Sequence, residues 1–185
     1  EDVGSSPTQA AQLSQQGLHA DTGGQSWGGR HHGKAGISIV QEPRAVQTTE
    51  PAAGVLYLVG TPIGNLGDLS PRARQVLAGV QRIACEDTRR SGLLLQNLGI
   101  KNRLVSFHAH NQTSRIPEFL AALEAGEALA VISDAGLPGI SDPGEMLVKE
   151  ARQQGHTVIC IPGPSAVTTA LVSSGLPCGR FCFEG

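Results

Sequence analysis

Apolar and polar positions along residues 54–173 follow two periods in turn. Short apolar runs at Val55–Val59, Arg82–Cys85, Leu104–Phe107, Ala128–Ile132 and Thr157–Ile161 carry Val, Ile and Leu at successive positions. Runs of that length predict strands buried on both faces, as in a parallel sheet. Longer segments with helical spacing follow each of them. Ser70-Pro71 marks a helix start, with Ser as N-cap and Pro at the first helical position, and the helix runs to Gly79. Thr88 opens the next, through Leu93-Leu94-Leu95 to Leu98, and Gly99 supplies a left-handed stop. A third spans Ser114 to Leu123, where Ile116, Phe119, Leu120 and Leu123 share one face, and Gly126 ends it. The fourth, from Glu145 to Gln153, turns Met146, Leu147 and Val148 inward and stops at Gly155; the last reaches from Ser165 to Ser173. Strand and helix in strict alternation predict a doubly wound α/β domain with a five-stranded, mostly parallel sheet.

Outside that region the pattern lapses. Residues 1–53 are rich in Gly, Gln, Ser and Thr, with one short, isolated candidate strand at Gly36–Val40. Such a segment buries too little apolar surface to offset the entropy of ordering, so it is predicted to be a disordered leader. His31 and His32 within it are expected to be incidental. At the other end Arg180 to Gly185 alternates like a new strand. The α/β domain is therefore expected over residues 54–177, with 178–185 beginning a linker or strand toward a further domain.

Composition narrows the function classes. A net charge of −2 gives no global attraction to nucleic acid or anionic membrane, and 3% aromatic residues argue against a base-stacking platform. Cys85, Cys160, Cys178 and Cys182 form no C-x-x-C pair, and the first two lie in apolar runs where a free thiol acts as a small hydrophobe. No disulfide or metal framework is expected, and a reducing cytoplasm is the expected location. No stretch reaches the roughly 20 apolar residues that span a bilayer, so no membrane partner is expected.

Candidate chemistry gathers where strands end. Gly60-Thr61-Pro62-Ile63-Gly64-Asn65-Leu66-Gly67-Asp68 follows the first strand, Ser133 to Gly144 the fourth, and Pro162-Gly163-Pro164-Ser165-Ala166 the fifth. In a parallel sheet all three emerge on one edge, where open α/β folds bind ligands. Their glycines permit close approach of backbone to ligand, and the helix start at Ser165 favours a carboxylate or phosphate. No G-x-G-x-x-G follows the first strand, and G-x-x-x-x-G-K-[ST], G-x-S-x-G and H-E-x-x-H are absent throughout. These absences remove the common dinucleotide, P-loop and two hydrolase fingerprints.

Four segments carry a more specific signal: Val55 to Leu66, Cys85-Glu86-Asp87-Thr88-Arg89, Ser133-Asp134-Ala135-Gly136 with Ser141-Asp142-Pro143-Gly144, and Ile161 to Ala166. In collinear order they resemble the tetrapyrrole-methylase-like methyltransferases that use S-adenosylmethionine, over Gly54 to Gly185. The pattern is nearest to members that methylate a cytidine ribose 2′-hydroxyl in 16S rRNA. Precorrin and diphthine members carry a Gly-x-Gly-x-Gly-Asp-like first loop where Thr61-Pro62-Ile63-Gly64-Asn65 stands here. The resemblance implies two α/β domains with the cofactor in the cleft between them, a homodimer, and the small ribosomal subunit with its 16S rRNA as partner. On that reading the chain is the amino-terminal domain of a two-domain methyltransferase and is expected to be inactive alone. The alternatives are a tetrapyrrole (precorrin-type) methyltransferase and a non-catalytic remnant of the family.

Position by position, the resemblance implies cofactor contacts at Pro62, Ile63, Asp134, Ala135, Gly136, Leu137, Ser165 and Ala166. Asp134 can accept hydrogen bonds from amino or hydroxyl groups, although a turn-capping role would also suit it. Methyl transfer from a sulfonium is an in-line displacement in which the enzyme mainly aligns the reactants. A ribose hydroxyl must lose its proton, so a base is sought among His108, His110, Glu86 and Asp87. The two histidines could equally be exposed loop residues or a metal pair lacking a third ligand. Over residues 72–103, Arg72, Arg74, Arg82, Arg89, Arg90, Lys101 and Arg103 outnumber Glu86 and Asp87, a local excess that suits an RNA backbone unless it is scattered in three dimensions. Arg89, Arg90 and Asn111 are the candidate substrate contacts.

Overall fold

The computed structural model describes residues 50–140 and 142–184. The expected leader up to residue 49, with Gly36–Val40 and the His31-His32 pair, lies outside the described residues.

The order is β1 (Val55–Val59), α1 (Pro71–Gly79), β2 (Arg82–Cys85), α2 (Thr88–Asn97), β3 (Leu104–Ser106), α3 (Gln112–Glu124), β4 (Leu129–Ile132), α4 (Glu145–Gln153), β5 (Thr157–Ile161) and α5 (Ala166–Ser173). A 3-10 turn at Leu66–Asp68, which the sequence did not announce, lies between β1 and α1; Asn65 caps it by accepting from the Gly67 N–H at 2.9 Å. The strands form one sheet in the order β3-β2-β4-β1-β5, and every pairing is parallel. Leu58 faces Val131, Val59 faces Ile161, and Cys85 faces both Ile132 and Ser106. That register brings all five carboxyl ends level on one edge. β2 leads by α2 outward to β3, while β4 leads by α4 across β1 to β5, so the connections diverge between the neighbours β2 and β4. A crevice opens at such a switch point.

Strand pleating sorts side chains onto two faces. Val55, Tyr57, Val59, Ile83, Cys85, Ala130 and Ile132 pack with Ala73, Val76 and Leu77 of α1 and Leu95 of α2. Leu56, Ala84, Val105, Leu129 and Val131 pack with Ile116, Phe119, Leu120 and Leu123 of α3 and Leu147 and Ala151 of α4. Phe107 and Phe119 meet edge to face at 5.4 Å within the second layer, a favoured aromatic geometry. Two helices therefore cover each face, and each fully buried Leu, Ile or Phe contributes about 1.5–3 kcal/mol relative to exposure.

The helix termini follow local chemistry. The Ser70 hydroxyl accepts from the Ala73 N–H at 3.0 Å, beside the Pro at the first position of α1. Ser70→Ala should cost about 1 kcal/mol of stability; a lower midpoint with an unchanged slope in urea unfolding would show it, and an unmoved midpoint would argue against the cap.

Several expectations are corrected. Met146 is exposed rather than inward, because α4 turns only Leu147 and Ala151 fully into the core. Cys160 is exposed, since β5 is an edge strand whose outer positions lack a covering layer among the described residues. Residues 180–184 form no strand and pair with neither edge of the sheet. The folded unit also reaches back before Gly54: the Ala52 N–H donates to the Tyr57 hydroxyl at 2.9 Å. Pro51 also closes over Gly79 so tightly that a Cβ there would meet its Cδ at 2.5 Å.

Candidate functional site

The three strand-end loops converge at Gly136. Its N–H and C=O exchange hydrogen bonds with Thr61 across an antiparallel bridge, at 3.2 and 2.9 Å. The buried Thr61 hydroxyl also donates to the Ser133 and Gly136 carbonyls, at 3.2 and 3.3 Å. Gly136 has φ +86°, and a Cβ built on it would lie 3.5 Å from the Pro164 carbonyl oxygen and 3.6 Å from Ile63 Cγ2. The loop after β1 reaches the loop after β5 more closely still, because a Cβ on Gly60 would meet Gly163 Cα at 2.8 Å. Only glycine on both sides allows that backbone contact.

A cavity of about 270 Å³ lies beside this junction, lined by Ala135, Gly136, Leu137, Ser165, Ala166 and Phe183 among others. Five of these are residues singled out from the sequence; Pro62 and Ile63 are half-buried in the adjoining loop. The volume falls just short of the roughly 300–1,000 Å³ of a complete small-molecule site. Phe183, Ile140 and Asp142 also line the cavity and escaped the sequence reading. Asp142 carried a signal, the second Ser-Asp pair of its loop, whereas Phe183 reaches the crevice only through the path of the chain after α5.

Charged groups gather at the same edge. Arg90 Nη1 donates to Asp134 Oδ2 at 2.9 Å, while Asp134 Oδ1 is shielded from solvent and has no hydrogen-bond partner. Burial raises the Glu86 carboxyl above its ordinary range, and the charges of Asp134 and Asp142 add to this against Arg90 and His108. Burial likewise raises Asp142, again with Asp134 adding. Glu86, Arg90, His108, Asp134 and Asp142 are thus neighbours, although they leave four different segments of chain. With three carboxylates and one guanidinium, the edge has a negative local field that suits a cationic ligand.

Other sequence candidates are already engaged. Asp87 caps α2, accepting from the Arg89 N–H at 2.8 Å and pairing with the Arg89 guanidinium at 3.1 Å. Those bonds to the charged form, the side-chain one first, hold its carboxyl down at about 2, which makes it a weak proton acceptor. Asn111 organises its own loop, accepting from the His108 N–H at 2.8 Å and donating to the Ser106 carbonyl at 3.1 Å. His110 stands edge to face with His108 at 5.9 Å, and His108 Nδ1 is buried without a partner. Among the described residues no group of three His, Cys, Asp or Glu side chains could hold a metal.

The basic excess of residues 72–103 does not form one free patch. Arg82 is 14% exposed and holds Glu127 through two bonds, at 2.7 and 2.8 Å, and Glu118 through one at 3.0 Å. Arg74 donates to the Leu98 carbonyl. With Arg89 and Arg90 paired to acids as well, the linear charge count overstates what the surface offers to phosphate.

A five-stranded, all-parallel sheet with helices on both faces and glycine-rich loops meeting at one edge defines a doubly wound α/β domain. Residues 55–182 match the sequence pattern of the tetrapyrrole (corrin/porphyrin) methylases, and the chain belongs to that family. It is 50% identical over 139 residues to ribosomal RNA small subunit methyltransferase I of Escherichia coli O157:H7, covering 75% of this chain and 49% of that protein. The corresponding figures for the protein of the same name from Synechocystis sp. are 54% over 132 residues, 71% and 47%. The chain thus spans about half the length of these curated relatives. Among solved structures it is similar to uroporphyrin-III-C-methyltransferase from Thermus thermophilus, with a TM-score of 0.53, 25% identity, and coverage of 69% of this chain and 54% of that one.

Proposed function

We propose that the chain acts in S-adenosylmethionine-dependent 2′-O-ribose methylation of a cytidine in 16S rRNA, contributing one wall of the cofactor site. The observation that carries this reading is Asp134. A carboxylate oxygen buried without a partner is costly, and Asp134 belongs to the loop after β4, one of three Gly/Pro loops that converge at the carboxyl edge of the sheet. The residues suit the cofactor: an acceptor for its amino or hydroxyl hydrogens, a close-approach glycine at Gly136, and carboxylates around a cation. S-adenosylmethionine would supply an electrophilic methyl group on a sulfonium.

The chain's own residues bind and orient. Asp134 would accept from donor groups of the cofactor, Ala135, Gly136 and Leu137 would hold it through the crevice that they line, and Ser165 and Ala166 would offer it the start of α5. Alignment supplies much of the rate in an in-line displacement. Glu86 is the proton acceptor for the attacking hydroxyl, with His108 beside it as the other candidate, since a raised carboxyl is a stronger base than the depressed Asp87. The exposed Arg72, Lys101 and Arg103 are left for RNA phosphates.

The choice of RNA over a tetrapyrrole rests on the relatives' names and on the Thr61-Pro62-Ile63-Gly64-Asn65 loop. Radiolabelled methyl transfer by the full-length protein tests it. Label is expected in the 16S rRNA of undermethylated small subunits, at a ribose 2′-oxygen. Label in a tetrapyrrole, with none in rRNA, would overturn the reading. No helix among the described residues is long and apolar enough to cross a membrane.

A further inference from the structure

Arg90 is 72% exposed on α2, a setting in which an arginine ordinarily serves solvent or substrate. Its single hydrogen bond among the described residues goes instead to Asp134, which lies 44 residues away in sequence. That bond takes one carboxylate oxygen and leaves the other buried without a partner. The χ2 torsion of an aspartate is broad and roughly two-fold, so nothing intrinsic to Asp134 fixes the plane of its carboxylate. A charge-assisted bond to Oδ2 does fix that plane.

We propose that Arg90 is a positioning residue for the cofactor site: it holds the plane of the Asp134 carboxylate and leaves Oδ1 as the unpaired acceptor. The proposal rests on the reading of Asp134 as a cofactor contact. An ion pair this exposed contributes little to folding, so its consequence lies in the orientation of the group that it holds. Arg90 is thereby drawn from the substrate side to the cofactor side, and the neighbouring Arg89 provides an internal control. Arg89 is 90% exposed on the same helix, carries the same charge, and pairs with Asp87 instead.

The test measures binding of S-adenosylmethionine and of S-adenosylhomocysteine by calorimetry, on the full-length protein, for R90A, R90K, R89A and D134A. R90A is expected to weaken both ligands by about tenfold while the melting temperature stays at the wild-type value. R90K should recover much of the loss, because the ammonium can still donate to Oδ2. R89A should match the wild type. The comparison of ligands separates positioning from simple charge. S-adenosylhomocysteine lacks the sulfonium, so loss of orientation weakens both ligands equally, whereas a changed field would favour the cation in R90A. Unchanged affinity in R90A alongside weakened D134A would overturn the positioning role alone, as would selective tightening of S-adenosylmethionine. Unchanged affinity in D134A would overturn the cofactor reading and this proposal with it.

Discussion

Asp134→Ala should weaken S-adenosylmethionine binding by about 10- to 150-fold. A hydrogen bond to a charged group contributes about 1.5–3 kcal/mol, and each 1.4 kcal/mol is about a factor of ten in affinity. The substitution also frees the Arg90 guanidinium, but that group is 72% exposed and rehydrates at little cost. Folding should therefore change little, and the loss should appear in calorimetric affinity and in KM for the cofactor. Asp134→Asn keeps the shape and one acceptor oxygen, so it should fall between wild type and alanine. Wild-type affinity in the alanine variant would remove Asp134 from the site.

Gly163→Ala should damage both stability and binding, because the new methyl has nowhere to go. Its Cβ would lie 2.9 Å from Gly60 Cα and 3.0 Å from the Gly60 carbonyl carbon and oxygen. Those neighbours are backbone, held by the Gly60 N–H bond to the Ile161 carbonyl at 3.2 Å, and they cannot rotate aside. Overpacking of this kind costs about 1–3 kcal/mol, and prising the two loops apart widens the crevice at Gly136. The expected outcome is a lower urea midpoint together with weakened cofactor binding. Gly92→Ala is the matched control. It lies within α2, where a Cβ would meet nothing nearer than Leu104 Cδ1 at 3.8 Å. Alanine is better than glycine in a helix by about 1 kcal/mol, so this variant should be more stable than the parent. If both variants behaved alike, the glycine contact would not be holding the crevice together.

The elements of the fold were legible because each is encoded locally. Buried parallel strands need continuous apolar runs, and helices need a 3.6-residue stripe with a cap and a stop. Ser70-Pro71 before α1 and Gly99 after α2, with φ +66°, show the local rules at work. Departures occurred where a neighbour decides. Met146 belongs to an apolar triplet, yet a helix cannot turn three consecutive residues to one face, and packing chose Leu147. The alternation of residues 180–184 suits a strand, but a strand also needs a partner edge in register. Pro51 and Ala52 read as part of a polar leader, and only Gly79 and Tyr57 show why they are ordered.

The site divides along the same line. By itself the sequence determined which loops meet, because Gly, Pro and Ser-Asp clusters at strand ends are local in the chain and the parallel sheet sends them to one edge. It also determined the glycines at positions 60, 136 and 163 that close approach requires. Tertiary structure alone decided the pairing of charges. In linear order Arg82, Arg89 and Arg90 look like one basic stretch; in space Arg82 is bound to Glu127 and Glu118, Arg89 to Asp87, and Arg90 to Asp134. The physical reason is that hydrophobic periodicity and turn chemistry act over a few residues. An ion pair depends on a distance of a few ångströms between groups as far as 45 residues apart, and that distance is set only when the sheet order β3-β2-β4-β1-β5 is complete.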